Sequence, residues 1–154
     1  MRPPSTGEEP PPRPDRTTLD VRFREVDAYG VVWHGHYVDW MEAARNRYAE
    51  AFGFRLVDEL AQGYVAPVLE LAVDYRKSAR LGDRVAIDVR LAEDARRVVA
   101  FRYRVSRLPD GELLATGRTV QALVGPRGLL LGWPTRVHEL LAAIRAYEET
   151  LPPW

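Results

Sequence analysis

The stretch Asp27-Ala28-Tyr29-Gly30-Val31-Val32-Trp33-His34-Gly35-His36-Tyr37 places a carboxylate and two histidines just ahead of an amphipathic segment with helical spacing. A helix N-terminus leaves backbone N–H groups unpaired and carries roughly half a positive charge, so a carbonyl oxygen docked there has its developing negative charge stabilised. Asp27 could attack the polarised carbon or direct water at it. Either role needs an ionised carboxylate held near the ligand by a tight turn, and Gly30 and Gly35 allow the backbone to approach closely. This is the local chemistry of acyl transfer. The plain alternative is that Asp27 caps a helix or forms a turn, which is the commoner duty of an Asp at such a place. A metal reading of Asp27, His34 and His36 lacks a compact third-ligand motif.

The elements that must position these residues follow from periodicity. Tyr37, Trp40, Met41, Ala44, Tyr48 and Phe52 fall three or four apart and share a face, with Asp39, Glu42, Asn46 and Glu50 opposite, so a helix is predicted up to Gly53. Thr17 to Val26 alternates as a strand, with Leu19, Val21 and Phe23 on one face. From Tyr64 the period is two: Val65, Pro67, Leu69, Leu71, Val73 and Tyr75 share one side of a long strand. After Gly82-Asp83, Val85, Ile87, Val89 and Leu91 begin another. Val99 to Val105 forms a third, Leu108-Pro109-Asp110-Gly111 a hairpin turn, and about Glu112 to Val124 the last. Pro134 to Glu149 has helical spacing.

One strand, one long helix and four consecutive strands imply an α+β fold, an antiparallel sheet of about five strands wrapped around a central helix, with a C-terminal helix appended. Such a sheet has an edge in need of a partner. The chain of 154 residues suits one domain, taken as 17–150, behind a disordered Pro-rich tail, 1–16. Its 22 basic and 22 acidic residues give no global attraction to nucleic acid or to an anionic membrane. No cysteine is present, which excludes disulfides, thiolate nucleophiles and Cys-based metal sites. No apolar run approaches the roughly 20 residues needed to span a bilayer, and the N-terminal segment does not read as a secretory signal, so membrane insertion is not expected and a cytoplasmic location is the default.

The run from Arg24 to Arg45 resembles the signature of hotdog-fold acyl-CoA thioesterases, and more narrowly the 4-hydroxybenzoyl-CoA thioesterase family with its short-chain branch associated with the Tol-Pal system. That pattern is an Asp, a Gly, two aliphatic residues, an aromatic residue and a His or Tyr, then a helix carrying Glu, Ala and Arg. The resemblance continues through Pro67-Val68-Leu69-Glu70 and Tyr75-Arg76-Lys77-Ser78-Ala79-Arg80-Leu81-Gly82-Asp83, covering roughly residues 17 to 125. Two departures are Phe23, where some members carry Tyr, and Ser78, where Pro is common. The His-Phe-Pro-Gly hallmark of dehydratases on the same fold is absent.

The resemblance implies hydrolysis of an acyl-CoA, or of an acyl group on a phosphopantetheine arm, with Asp27 as the catalytic carboxylate and the His34 backbone N–H holding the thioester oxygen. It implies no metal and no bound cofactor, because coenzyme A belongs to the substrate. It also implies homodimers or homotetramers with active sites between subunits. Trp33, Tyr37 and Trp40 are candidates for an acyl or aryl pocket, although aromatics at such spacing are usually core, and Gly35 is a candidate for backbone contact with the substrate. Arg76, Lys77 and Arg80 are candidates for the coenzyme A phosphates, against the simpler reading of a solvated strand end. Glu42 lies on the polar face of the helix on which another hotdog branch places its catalytic Glu; its expected role here is a pairing with Arg45 or Asn46. A binding module without turnover is the alternative from a different class.

Overall fold

Alternation along residues 84–92, 99–108 and 113–121 gives three long strands whose apolar sides fall on one face, and these form the middle of an antiparallel sheet. The structure, a computed structural model, describes residues 12–130 and 132–154. In chain order the main elements are β1 (Arg16–Asp20), α1 (His34–Ala51), α2 (Leu56–Ala61), β2 (Val68–Tyr75), β3 (Arg84–Ala92), β4 (Val99–Leu108), β5 (Leu113–Gln121), the short hairpin β6 (Val124–Gly125) and β7 (Gly128–Leu129), and α3 (Thr135–Glu148). The five-stranded sheet runs β1-β3-β4-β5-β2, every neighbour antiparallel. Ile87 pairs with Val105 and Val105 with Ala115, so the inward stripes stay in register across the centre.

The sheet curls around α1. Tyr37, Trp40, Met41, Ala44 and Tyr48 are buried against Val85, Ile87, Phe101, Tyr103, Val105 and Leu114. Each large apolar side chain so buried contributes roughly 1.5–3 kcal/mol, which far exceeds the intrinsic helix preference of the segment. Close approach of helix to sheet depends on Gly117, where a Cβ would sit 2.6 Å from the Met41 sulfur. The helix ends at Gly53, at φ +88°, as its place after the last apolar residue predicts. α3 closes one end of the sheet, since Glu148 Oε1 accepts hydrogen bonds from the Tyr48 hydroxyl at 2.8 Å and the Leu91 N–H at 2.7 Å.

Three expectations change. The first strand stops at Asp20 and not at Val26: after the Val21 N–H bonds Asp83 O, the chain turns through a 3-10 helix, Phe23–Glu25, and leaves Phe23 exposed. The strand expected from Tyr64 begins at Val68, because α2 and its turn occupy residues 56–63 and a register shift falls between Val68 and Glu70. Residues 13–16, placed in the expected Pro-rich tail, take part in the fold. Asp15 is fully buried, accepting hydrogen bonds from Arg13 and from the Tyr147 hydroxyl at 2.6 Å, and Arg16 opens β1 in a two-point ion pair with Asp88. The rest of that tail, residues 1–11, lies outside the described residues.

β1 and β2 are the two edges. β2 is exposed along almost all its length, with Val68, Leu69, Leu71 and Tyr75 among its open side chains, and the exposed Leu56, Val57 and Leu60 of α2 lie just before it in the chain.

Candidate active site

The Asp27 carboxylate is set by a turn of five residues. Its N–H donates to Val31 O at 2.9 Å, its carbonyl accepts the Gly30 N–H at 3.0 Å, and Val26 and Val32 bridge across the base. Gly30 takes φ +76°, which this turn demands and most side chains resist. Within the turn Asp27 Oδ1 accepts the Tyr29 N–H at 2.8 Å, leaving Oδ2 with no protein donor among the described residues. The side chain is partly exposed. One oxygen fixes the orientation while the other is available to a ligand.

Beneath the turn lies Glu25, a residue the sequence reading does not single out. It is 1 % exposed and accepts hydrogen bonds from the Arg22 N–H at 2.8 Å, Arg22 Nε at 3.0 Å and Trp40 Nε1 at 3.1 Å. Burial alone would raise its pKa; the donors from Arg22 and Trp40 outweigh that and hold it down at about 2. Its backbone carbonyl also accepts the Trp33 N–H at 2.9 Å. Glu25 therefore ties the Asp27 turn to the body of α1 through Trp40 and to its start through Trp33.

At that start Trp33 precedes the first helical residue, His34, and no side chain caps the helix. The His34 and Gly35 N–H groups have no acceptor among the described residues, whereas the His36 N–H turns back to Trp33 O at 3.0 Å. Two donors and the positive end of the helix are thus open to an acceptor oxygen. The Tyr75 hydroxyl donates to His34 O at 2.7 Å and fixes the helix start to the end of β2. Trp33 packs beside the His34 and His36 rings, at centroid distances of 4.9 and 5.5 Å. Gly35 is required by this packing, because a Cβ there would lie 2.1 Å from the indole. His36 Nδ1 stands 3.2 Å from Asp39 Oδ2. Among the described residues no cluster of three or more His, Asp or Glu side chains is arranged to hold a metal.

Tyr37 is not a pocket residue in this chain. It is 2 % exposed, and its hydroxyl accepts the Ala79 N–H at 2.8 Å, a core tie between α1 and the loop after β2. Arg76, Lys77 and Arg80 are all exposed: Arg76 pairs with Asp74 at 2.6 Å, Lys77 with Glu112, and Arg80 makes no ion pair among the described residues. The expected pairing of Glu42 with Arg45 does not form. Both instead line a cavity of about 310 Å³ between α1, the ends of β2, β4 and β5, and α3, along with Asn46, Phe54, Gln121 and Leu140. This cavity opens at the Val68 end of β2, while Asp27 and His34 stand at the Tyr75 end. No helix among the described residues is long and apolar enough to cross a membrane.

Comparison with known proteins identifies the family and the fold. The profile of the thioesterase-like superfamily matches residues 21–138. The protein sll0410 of Synechocystis sp., whose name assigns it provisionally to the esterases, is 31 % identical over 127 residues, covering 81 % of this chain and 76 % of its own. The acyl-CoA thioesterase YbgC of Haemophilus influenzae is 31 % identical over 88 residues, 56 % of this chain and 65 % of that protein. Among solved structures, the hypothetical protein TT1821 from Thermus thermophilus superposes with a TM-score of 0.76 at 37 % identity, over 84 % of this chain and 98 % of that one. The DHNA-CoA thioesterase of Staphylococcus aureus gives a TM-score of 0.78 at 28 % identity, over 90 % and 96 %. With a profile match across most of its length and a sheet wrapped around one helix, the chain has the hotdog fold and belongs to the thioesterase-like superfamily.

Proposed function

We propose that this protein hydrolyses acyl-CoA thioesters, or acyl groups on a phosphopantetheine arm, to a free acid and a thiol. The observation that carries the reading is the free oxygen of Asp27, fixed by its own turn, at the loop leading into a helix start with two unpaired N–H groups. The thioester oxygen accepts from the His34 and Gly35 N–H groups, and negative charge gathers there as the carbonyl carbon becomes tetrahedral. Asp27 then acts by one of two balanced routes. As a nucleophile its carboxylate adds to the carbon, the C–S bond breaks, the thiolate takes a proton from water, and a second water cleaves the anhydride. As a general base it accepts a proton from the attacking water, and that proton passes to the departing sulfur.

The names of the relatives support the substrate class, since YbgC is an acyl-CoA thioesterase and the Staphylococcus aureus neighbour a DHNA-CoA thioesterase. The Asp-centred signature favours the 4-hydroxybenzoyl-CoA thioesterase family and its Tol-Pal-associated branch. Arg76, Lys77 and Arg80 hold the nucleotide phosphates, and Trp33 and Gly35 border the thioester. The protein acts in the cytoplasm as a homodimer, and pairing through the open β2 edge extends the sheet across a twofold axis. The test is a panel of acyl-CoA thioesters assayed for thiol release by the purified protein. Turnover of at least one, without added metal or cofactor, is the expected result; binding of the panel with no thiol released would make the protein a carrier and not a hydrolase.

A further inference from the structure

Arg45 is the one arginine on the buried side of α1, and its surroundings do not account for it. It is 8 % exposed, and that remaining exposure belongs to a side chain lining the 310 Å³ cavity. No carboxylate lies within ion-pair distance of it among the described residues. Glu42, one turn earlier, lines the same cavity but is itself exposed at the rim. The Tyr103 hydroxyl lies near Arg45 and already shares a 2.8 Å hydrogen bond with Thr119 Oγ1. A guanidinium has five N–H donors, so most remain for the cavity. A buried cation without a counter-ion is costly, and an anion that enters supplies what the fold omits.

The rest of the lining describes the remainder of the ligand. Phe54, Val99, Phe101 and Leu140 are apolar, while Gln121, 7 % exposed, commits its Nε2 to Ala66 O at 2.7 Å. At about 30 Å³ for each water-sized unit, the cavity holds on the order of ten non-hydrogen atoms. We propose that this cavity is the specificity pocket of the thioesterase for an acyl group whose far end carries a carboxylate, with Arg45 as the residue that pairs with it. The proposal rests on the thioesterase reading above. It also explains why the cavity and Asp27 stand at opposite ends of one β2: antiparallel pairing of two β2 strands along their length sets the Tyr75 end of one beside the partner's Val68 and the cavity behind it. Arg45 binds substrate and takes no part in the bond changes at the thioester.

The probes are octanoyl-CoA and suberoyl-CoA, equal in carbon number and different in the terminal carboxylate. The wild-type protein should favour suberoyl-CoA in kcat/KM by about tenfold or more, the scale of one charge-assisted two-point pair. Arg45→Met should bring that ratio near one, with Arg45→Lys between. Preference of the wild type for octanoyl-CoA, or a ratio that survives in Arg45→Met, overturns the proposal. Should Arg45→Met fail to fold, the wild-type ratio together with Arg45→Lys decides. If neither thioester is cleaved, the acyl-CoA panel described above decides whether the thioesterase reading itself has failed. Calorimetry with monomethyl suberate against methyl octanoate then judges the pocket separately: tighter binding of the carboxylate supports it, and equal or weaker binding overturns it.

Discussion

Asp27 combines one oxygen spent on local geometry with one left open, and what sets it apart from an ordinary turn-forming Asp is the helix start with two unpaired N–H groups into which its loop leads. The basic residues just after the Tyr75 end of β2 are a different case, because Arg76 and Lys77 already have exposed acidic partners. Exposed pairs of that kind are worth little, about 0–1 kcal/mol, so phosphates of a ligand can displace them. Neutralising Arg76, Lys77 and Arg80 together should raise KM for acyl-CoA roughly tenfold with kcat nearly unchanged, since contacts equal in ground and transition state act as uniform binding. Steady-state kinetics at low and high salt check this; the effect should shrink as salt screens the charges. A thioester lacking the nucleotide should not respond. The placement of Asp27 in a turn and of His34 at the start of α1 was legible from residue types and spacing. Glu25 and Arg45 were not, because nothing local marks a charged residue for burial; their status depends on Trp40 and Tyr103 arriving from elsewhere in the fold.

The element that sets the site is the start of α1, and Glu25 holds it. Its carboxyl is depressed from an ordinary 4.5 to about 2 in the folded protein, so the stability it contributes is fully present above pH 4.5 and is lost as pH falls from there toward 2. Glu25→Gln should therefore lower stability at neutral pH by roughly 2 kcal/mol, allowing for the exposure of Arg22, and flatten the stability curve between pH 4.5 and 2. Urea unfolding across that range is the measurement; an unchanged acid limb would remove Glu25 from this role. α1 itself could be read from its spacing, since its apolar stripe is unbroken from Tyr37 to Tyr48. α2 could not, because its six residues give less than two turns and Leu56, Val57 and Leu60 face outward in the single chain. The end of β1 was hidden for another reason: Val21 and Phe23 continue the alternation, but pairing with β3 stops at Asp20, and the buried Glu25 draws the chain into a turn.

At the scale of the whole molecule, the open β2 edge is an apolar strand side with unpaired backbone groups, a feature that isolated proteins normally cover or blunt. Sedimentation at micromolar concentration should find a dimer. Leu71→Lys, at a position half-open in the single chain, should shift it toward monomer with little loss of protomer stability, and activity should fall with the dimer. A fully active wild-type monomer would contradict the shared-site account. The most direct test of the central claim compares thiol release from the best acyl-CoA substrate by the intact protein and by Asp27→Asn. The variant should keep the assembly state and melting behaviour of the wild type and lose turnover by about a thousandfold, as befits the loss of a nucleophile or base. A folded Asp27→Asn protein that releases thiol at the wild-type rate would contradict it.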